Sequence, residues 1–116
     1  MSTVKIYHNP RCSKSRQTLS LLEEQGVQPE IVKYLETPPD ERTLAEILDL
    51  LGLEPRDLMR KREKEYKEAG LDDDSLTREE QIALMVKYPK VIERPIVIAN
   101  GKAAIGRPPE KVLDIL

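Results

Sequence analysis

The order of hydrophobic periods predicts an α/β fold: a mixed four-stranded sheet, β-α-β then β-β-α, with a helical insert between the halves. Three observations carry this. A short apolar run, Val4-Lys5-Ile6-Tyr7, is followed by a helix-period stretch closed by Gly26 and by a second short run. Near the other end, Ile96-Val97-Ile98-Ala99 leads into Asn100-Gly101, a strong two-residue hairpin signal, and the chain returns over Lys102 to Ile105. The pattern between these halves is helical.

In chain order, the first third places a strand near 3–7, a helix near 13–25 and a strand near 30–34. Two parallel strands joined by a crossover helix follow, with a right-handed connection. Thr37-Pro38-Pro39-Asp40 then breaks the chain. Leu44, Ile47, Leu48 and Leu51 stand at i, i+3, i+4 and i+7, one face of a helix that Gly52 ends. Pro55 opens a short helix through Met59. Residues 60–69 are strongly charged and read as a further turn or two ending at Gly70, with Lys61 to Glu65 solvated. Asp72-Asp73-Asp74 reads as a solvated turn, since it lacks the spaced ligands and closing Glu of a calcium loop. Thr77-Arg78-Glu79-Glu80 is a capping-box pattern opening a helix that buries Ile82, Met85 and Val86, with Pro89 just beyond. After the hairpin, Pro108-Pro109 starts a closing helix with Val112, Ile115 and Leu116 on one face. Tyr7 and Tyr34 read as strand packing residues.

The length of 116 residues fits one domain, 1–116, with the insert over approximately 37–90. That is enough chain for a core without disulfides or a structural metal. A net charge of −2 gives no basic field for nucleic acid. No apolar run is long enough for a membrane span or a signal peptide. A single cysteine and no export signal point to the reducing cytoplasm. One His and one Cys cannot make the usual zinc site, so no metal is expected. Neither a GxxxxGK[ST] nor a GxGxxG loop is present.

The lone Cys12 stands in His8-Asn9-Pro10-Arg11-Cys12-Ser13-Lys14-Ser15-Arg16, where the first strand ends and the first helix begins. Unpaired N–H groups of a first helical turn stabilise a negative sulfur. Arg11, Lys14, Arg16 and a charged His8 would add positive potential. These features lower a thiol pKa, and the thiolate is the reactive form. Without a second cysteine the chain cannot close an internal disulfide, so a reacting Cys12 takes its partner thiol from another molecule.

A reactive cysteine after the first strand and a proline before the third, at Arg94-Pro95-Ile96, complete the plan of a thioredoxin-like fold. In that fold a cis-proline lies beside the cysteine. Ser15 stands where the second cysteine of a Cys-x-x-Cys pair would be. At this level the chain resembles the arsenate reductase family of glutaredoxin-coupled type, in its short form. The resemblance runs from Lys5 to Leu116. It rests on Ile6-Tyr7-His8-Asn9-Pro10-x-Cys12-x-x-Ser15-Arg16, Tyr34-Leu35-Glu36-x-Pro38-Pro39, Leu58-Met59-Arg60-Lys61, Arg94-Pro95-Ile96-Val97 and Gly106-Arg107-Pro108.

The resemblance implies that Cys12 attacks arsenic, that His8 helps keep the thiol ionised and that Ser15 donates its hydroxyl to the thiolate. It implies that Arg60, Arg94 and Arg107 bind the oxyanion, that glutathione is co-substrate with no bound cofactor, and that glutaredoxin is the protein partner in arsenic detoxification. The physical reading of the residues agrees. A thiolate attacking arsenate brings two anions together, and arginine forks offset that repulsion. Arg94 adjoins Pro95, and Arg107 precedes a helix start; Arg60 is picked out by resemblance alone. Two other functions fit parts of the pattern. A glutathione-dependent thiol transferase acting on another electrophile would use the same cysteine and arginines. A redox regulator of the Spx type would bind RNA polymerase, but Ser15 replaces the second cysteine of its switch.

Overall fold

The computed structural model describes residues 3–116; Met1 and Ser2, which the single-domain reading includes, lie outside the described residues. The chain divides into two compact units. One holds the residues up to Thr37 together with Arg94–Leu116, and the other is Pro38–Glu93, the stretch the sequence reads as an insert.

The first unit is the sheet unit. Strand β1 (Lys5–His8) leads into helix α1 (Ser13–Glu24), which crosses to β2 (Glu30–Lys33). The parallel pairing sets Ile6 opposite Ile31. After the insert the chain re-enters as β3 (Ile96–Ala99), antiparallel to β1, and turns into β4 (Lys102–Ile105). The sheet order is β2-β1-β3-β4, with β1 and β3 central. Their inner residues show why: Ile6, Val97 and Ala99 are buried and join Leu22 of α1 with Val112 and Ile115 near the C-terminus in one cluster.

Local chemistry fixes the element ends. Helix α1 stops in a Schellman motif: Gly26 takes φ 77°, its N–H donates to Glu23 O, and Val27 N–H donates to Leu22 O. The hairpin uses Asn100 and Gly101 at φ 54° and 72°, the left-handed pair a two-residue turn demands. Asn100 Nδ2 also donates to Ile115 O at 2.9 Å, tying the turn to the end of the chain. The closing segment Pro109–Ile115 is a 3-10 helix. Its repeat of three residues puts Pro109, Val112 and Ile115 on the buried face and turns Leu116 outward, 40% exposed, where the sequence had placed it with the core.

In the helical unit, α2 (Glu41–Leu51) starts at Asp40, whose carboxylate accepts from Thr43 N–H at 2.7 Å. Hydrogen bonds from the Thr43 side chain and then its backbone hold the Asp40 carboxyl below its usual pKa. A 3-10 turn (Pro55–Leu58) and the short α3 (Lys64–Glu68) follow, then α4 (Arg78–Lys87) with its Thr77/Glu80 capping box. Helix α4 packs on α2 and on the Pro55–Leu58 turn. It buries Gln81 with Ile82 and Met85, while Val86 is only half-buried, because Gln81 Nε2 reaches back to Leu76 O at 3.0 Å and turns that face inward. Glu65, read from sequence as solvated, has a side chain only 14% exposed and lies 3.7 Å from Lys90. A two-residue bridge, Met59 opposite Ile92, closes the unit near its end.

Leu22 is fully buried at the centre of the sheet unit's cluster. Leu22→Ala is expected to cost about 2–5 kcal/mol, read as a lower urea midpoint with an unchanged slope.

Candidate active site around Cys12

The site grows out of the turn between β1 and α1. Asn9 builds that turn from three directions. Its carbonyl accepts from Cys12 N–H at 3.0 Å, its side-chain oxygen accepts from Arg11 N–H at 3.0 Å, and its own N–H donates to Ser15 Oγ at 3.0 Å. The side-chain bond is the local turn that Asn forms readily. Cys12 thereby becomes the N-cap of α1, in extended conformation, with its carbonyl accepting from Arg16 N–H at 3.0 Å. No side chain caps this end, so the first-turn N–H groups are left facing the sulfur.

Cys12 is partly exposed. Burial pushes its thiol up, but the backbone N–H of Ser15, the hydrogen bond and charge of Arg94 and the backbone N–H of Lys14 outweigh that, and the pKa falls below the ordinary 9.0. Arg107 adds a second guanidinium, with Nη2 3.5 Å from Sγ. The two arginines are also joined to each other, since Arg107 Nε donates to Arg94 O at 2.7 Å. Each precedes a cis proline, Pro95 and Pro108; the sequence reading anticipates the first. The result is a thiol of lowered pKa faced by two fixed guanidiniums with room for solvent, a geometry suited to a nucleophile that meets an anion.

His8 and Ser15 form a separate pair behind the cysteine. Ser15 is fully buried, and its Oγ lies 2.6 Å from His8 Nδ1. Burial, with the charges of Lys33 and Arg16, lowers the His8 pKa below 6.5. The Ser15 oxygen shares this short hydrogen bond with the ring and also accepts from Asn9 N–H at 3.0 Å. The Ser15 hydroxyl is engaged with His8, and Ser15 reaches Cys12 through its backbone N–H. His8, neutral, adds no positive potential of its own.

Arg60 lies in the helical unit. Its guanidinium meets Glu93 at 2.9 Å and Glu63 at 3.3 Å, and the backbone bridge places it there, with Arg60 N–H donating to Val91 O. Burial pulls its pKa down, but the two carboxylates more than offset this and raise it.

Sequence reasoning gave no role to Asn9, Thr18 or Gly106. Asn before Pro is a turn signal that marks Asn9. Gly106 shows its need only in three dimensions: a Cβ there would collide with Thr18 Oγ1 and stand 2.8 Å from Pro95 Cγ. Among the described residues no group of three or more His, Cys, Asp or Glu is arranged to hold a metal ion.

Two measurements follow. The pH profile of Cys12 alkylation by iodoacetamide should have its midpoint below that of a free thiol, and Arg94→Ala should move it upward. The His8 pKa, lowered on folding, makes the unfolded chain bind more protons between the folded pKa and 6.5. That contribution to stability therefore falls as pH drops through this window and is constant below it. The stability difference between wild type and His8→Gln, from urea unfolding, should shift against the wild type as pH falls below about 6.5.

With this geometry in place, the relatives are informative. The chain is 62% identical over 114 residues to the uncharacterized protein YfgD of Escherichia coli K12, covering 97% of this chain and 96% of that one. It is 51% identical over 117 residues, the whole of both chains, to an arsenate reductase of Neisseria meningitidis. The solved structure of an arsenate reductase from Vibrio cholerae matches with a TM-score of 0.94 at 54% identity, covering 98% of each chain. The model of the ArsC family matches residues 7–115. Sheet order, cysteine turn and full-length likeness agree: this chain is a thioredoxin-like protein and belongs to the ArsC family.

Proposed function

We propose that this protein reduces arsenate to arsenite, with glutathione and glutaredoxin supplying the electrons. The observation that carries the reading is Cys12 at the head of α1, its thiol pKa lowered and two guanidiniums directed at its sulfur. Membership of a family whose relatives include arsenate reductases supports arsenate as the oxyanion.

In the first step the Cys12 thiolate attacks arsenic(V). A sulfur–arsenic bond forms, and one arsenate oxygen, protonated by solvent, leaves as water. Arg94 and Arg107 offset the repulsion between the two anions and hold arsenate oxygens. Arg60 is assigned as a third oxyanion-binding arginine, kept charged by Glu63 and Glu93. Glutathione thiolate then attacks the Cys12 sulfur. The sulfur–arsenic bond breaks, its electron pair stays on arsenic, and arsenite leaves as arsenic(III). Two thiols have become one disulfide, which balances the two electrons gained by arsenic. Glutaredoxin takes the glutathione from the mixed disulfide by thiol exchange and frees the Cys12 thiolate. Cys12 being the sole cysteine, no internal thiol can do this. His8 and Ser15 complete the catalytic set by holding the turn on which the thiolate stands. The reducing cytoplasm is where such thiols are available.

The test is an NADPH-coupled assay with arsenate, glutathione, glutathione reductase and glutaredoxin. Arsenate-dependent turnover that Cys12→Ser abolishes is the expected result. No turnover from a wild-type protein whose Cys12 still alkylates rapidly would move the search to another electrophile. Arg94→Ala should weaken oxyanion binding by about 1.5–3 kcal/mol, the scale of a charged hydrogen bond, measured by calorimetry on Cys12→Ser to stop the chemistry.

A further inference from the structure

Two residues outside the proposed catalytic set converge on the one that precedes Arg107. Thr18 lies on α1, nearly two turns beyond Cys12, and is fully buried. Its Oγ1 donates to Lys14 O at 2.8 Å and stands 3.5 Å from Gly106 O. The space a side chain would need at Gly106 is already filled. A Cβ would overlap Thr18 Oγ1 and come within 3.0 Å of Thr18 Cγ2 and 2.8 Å of Pro95 Cγ. Gly106 N–H meanwhile donates to Pro95 O at 3.0 Å. Gly106 is therefore held between helix and proline, and its φ is not in the left-handed region that would by itself call for glycine.

The next residue reaches the sulfur. Arg107 Nε is fixed on Arg94 O and Nη2 lies 3.5 Å from Cys12 Sγ. The helix that carries Cys12 at its first end thus carries, on Thr18, the stop against which the Arg107 backbone rests. We infer that Thr18 and Gly106 are positioning residues that set the reach of Arg107, and through it Arg94, to the Cys12 sulfur. The close approach requires glycine at 106 because any Cβ would drive the 106–107 backbone away from α1. The guanidinium would then lose either Arg94 O or the sulfur.

This inference rests on reading Arg107 as an anion-holding group at Cys12, and the test needs no arsenate. The pH dependence of Cys12 alkylation by iodoacetamide is measured for wild type, Gly106→Ala, Arg107→Ala and the double variant. Gly106→Ala should raise the midpoint by about half to one pH unit, a three- to tenfold change in the thiol's ionisation constant. In the absence of the Arg107 side chain the same change should add little, because it acts through that side chain. Gly106→Ala/Thr18→Ala, which removes both Thr18 atoms from the overlap, should reverse part of that shift. A wild-type midpoint in Gly106→Ala, or an equal shift with and without Arg107, would overturn the inference. If Gly106→Ala does not fold, Thr18→Ala takes its place: removing the stop should raise the midpoint only when Arg107 is present, and an unchanged midpoint would overturn the inference. Failure to turn over arsenate leaves these outcomes intact, so loss of the proposed function and loss of the positioning role are read separately.

Discussion

A sulfur anion is stabilised by partners whose positions are fixed before the charge appears. Here those positions are set by the turn that makes Cys12 the N-cap of α1. The helix supplies N–H groups from Lys14 and Ser15, and the two arginine-proline segments supply guanidiniums. Each source belongs to a different piece of chain. They meet because β1 and β3 are neighbours in the sheet and because β4 returns beside β3. The sheet order is therefore an electrostatic device as well as a core: changing it would separate Arg94 and Arg107 from the thiol.

Much of this was legible in the sequence, for reasons that are local. The apolar β3 run, the Asn100-Gly101 turn and the Thr77/Glu80 box each carry their geometry in a few residues. So does the position of Cys12 between a strand and a helix. Other features depend on distant partners. The engagement of the Ser15 hydroxyl depends on His8 and Asn9, which stand on the far side of the turn. The neutrality of His8 follows from burial and from Lys33, a residue on the neighbouring strand. The inward turn of Gln81 depends on Leu76 O, a carbonyl in the loop before its helix. The 3-10 winding of the last segment, which turned Leu116 outward, leaves no period-3.6 signature to read over so short a stretch.

Arg60 illustrates a different limit. Its charged surroundings suggested a solvated helix, and resemblance suggested an anion site. Its neighbours are two carboxylates, one local in sequence and one brought in by the Met59–Ile92 bridge. A guanidinium held by two acids is already oriented, and any further anion must share its donors with them. The helical unit thus carries an organised cluster of Arg60, Glu63 and Glu93.

The burial of Ser15 has one more consequence. In a dithiol redoxin the residue three places after the nucleophile is the second sulfur. At that position this protein has placed a hydroxyl that laces the end of a strand to the start of a helix, through His8 Nδ1 and Asn9 N–H. A cysteine grafted there would give up the short bond to the ring and the acceptor for the backbone. The turn around Cys12 is thus organised for a single thiol, and placing a second one at position 15 would require rebuilding the turn rather than exchanging one atom.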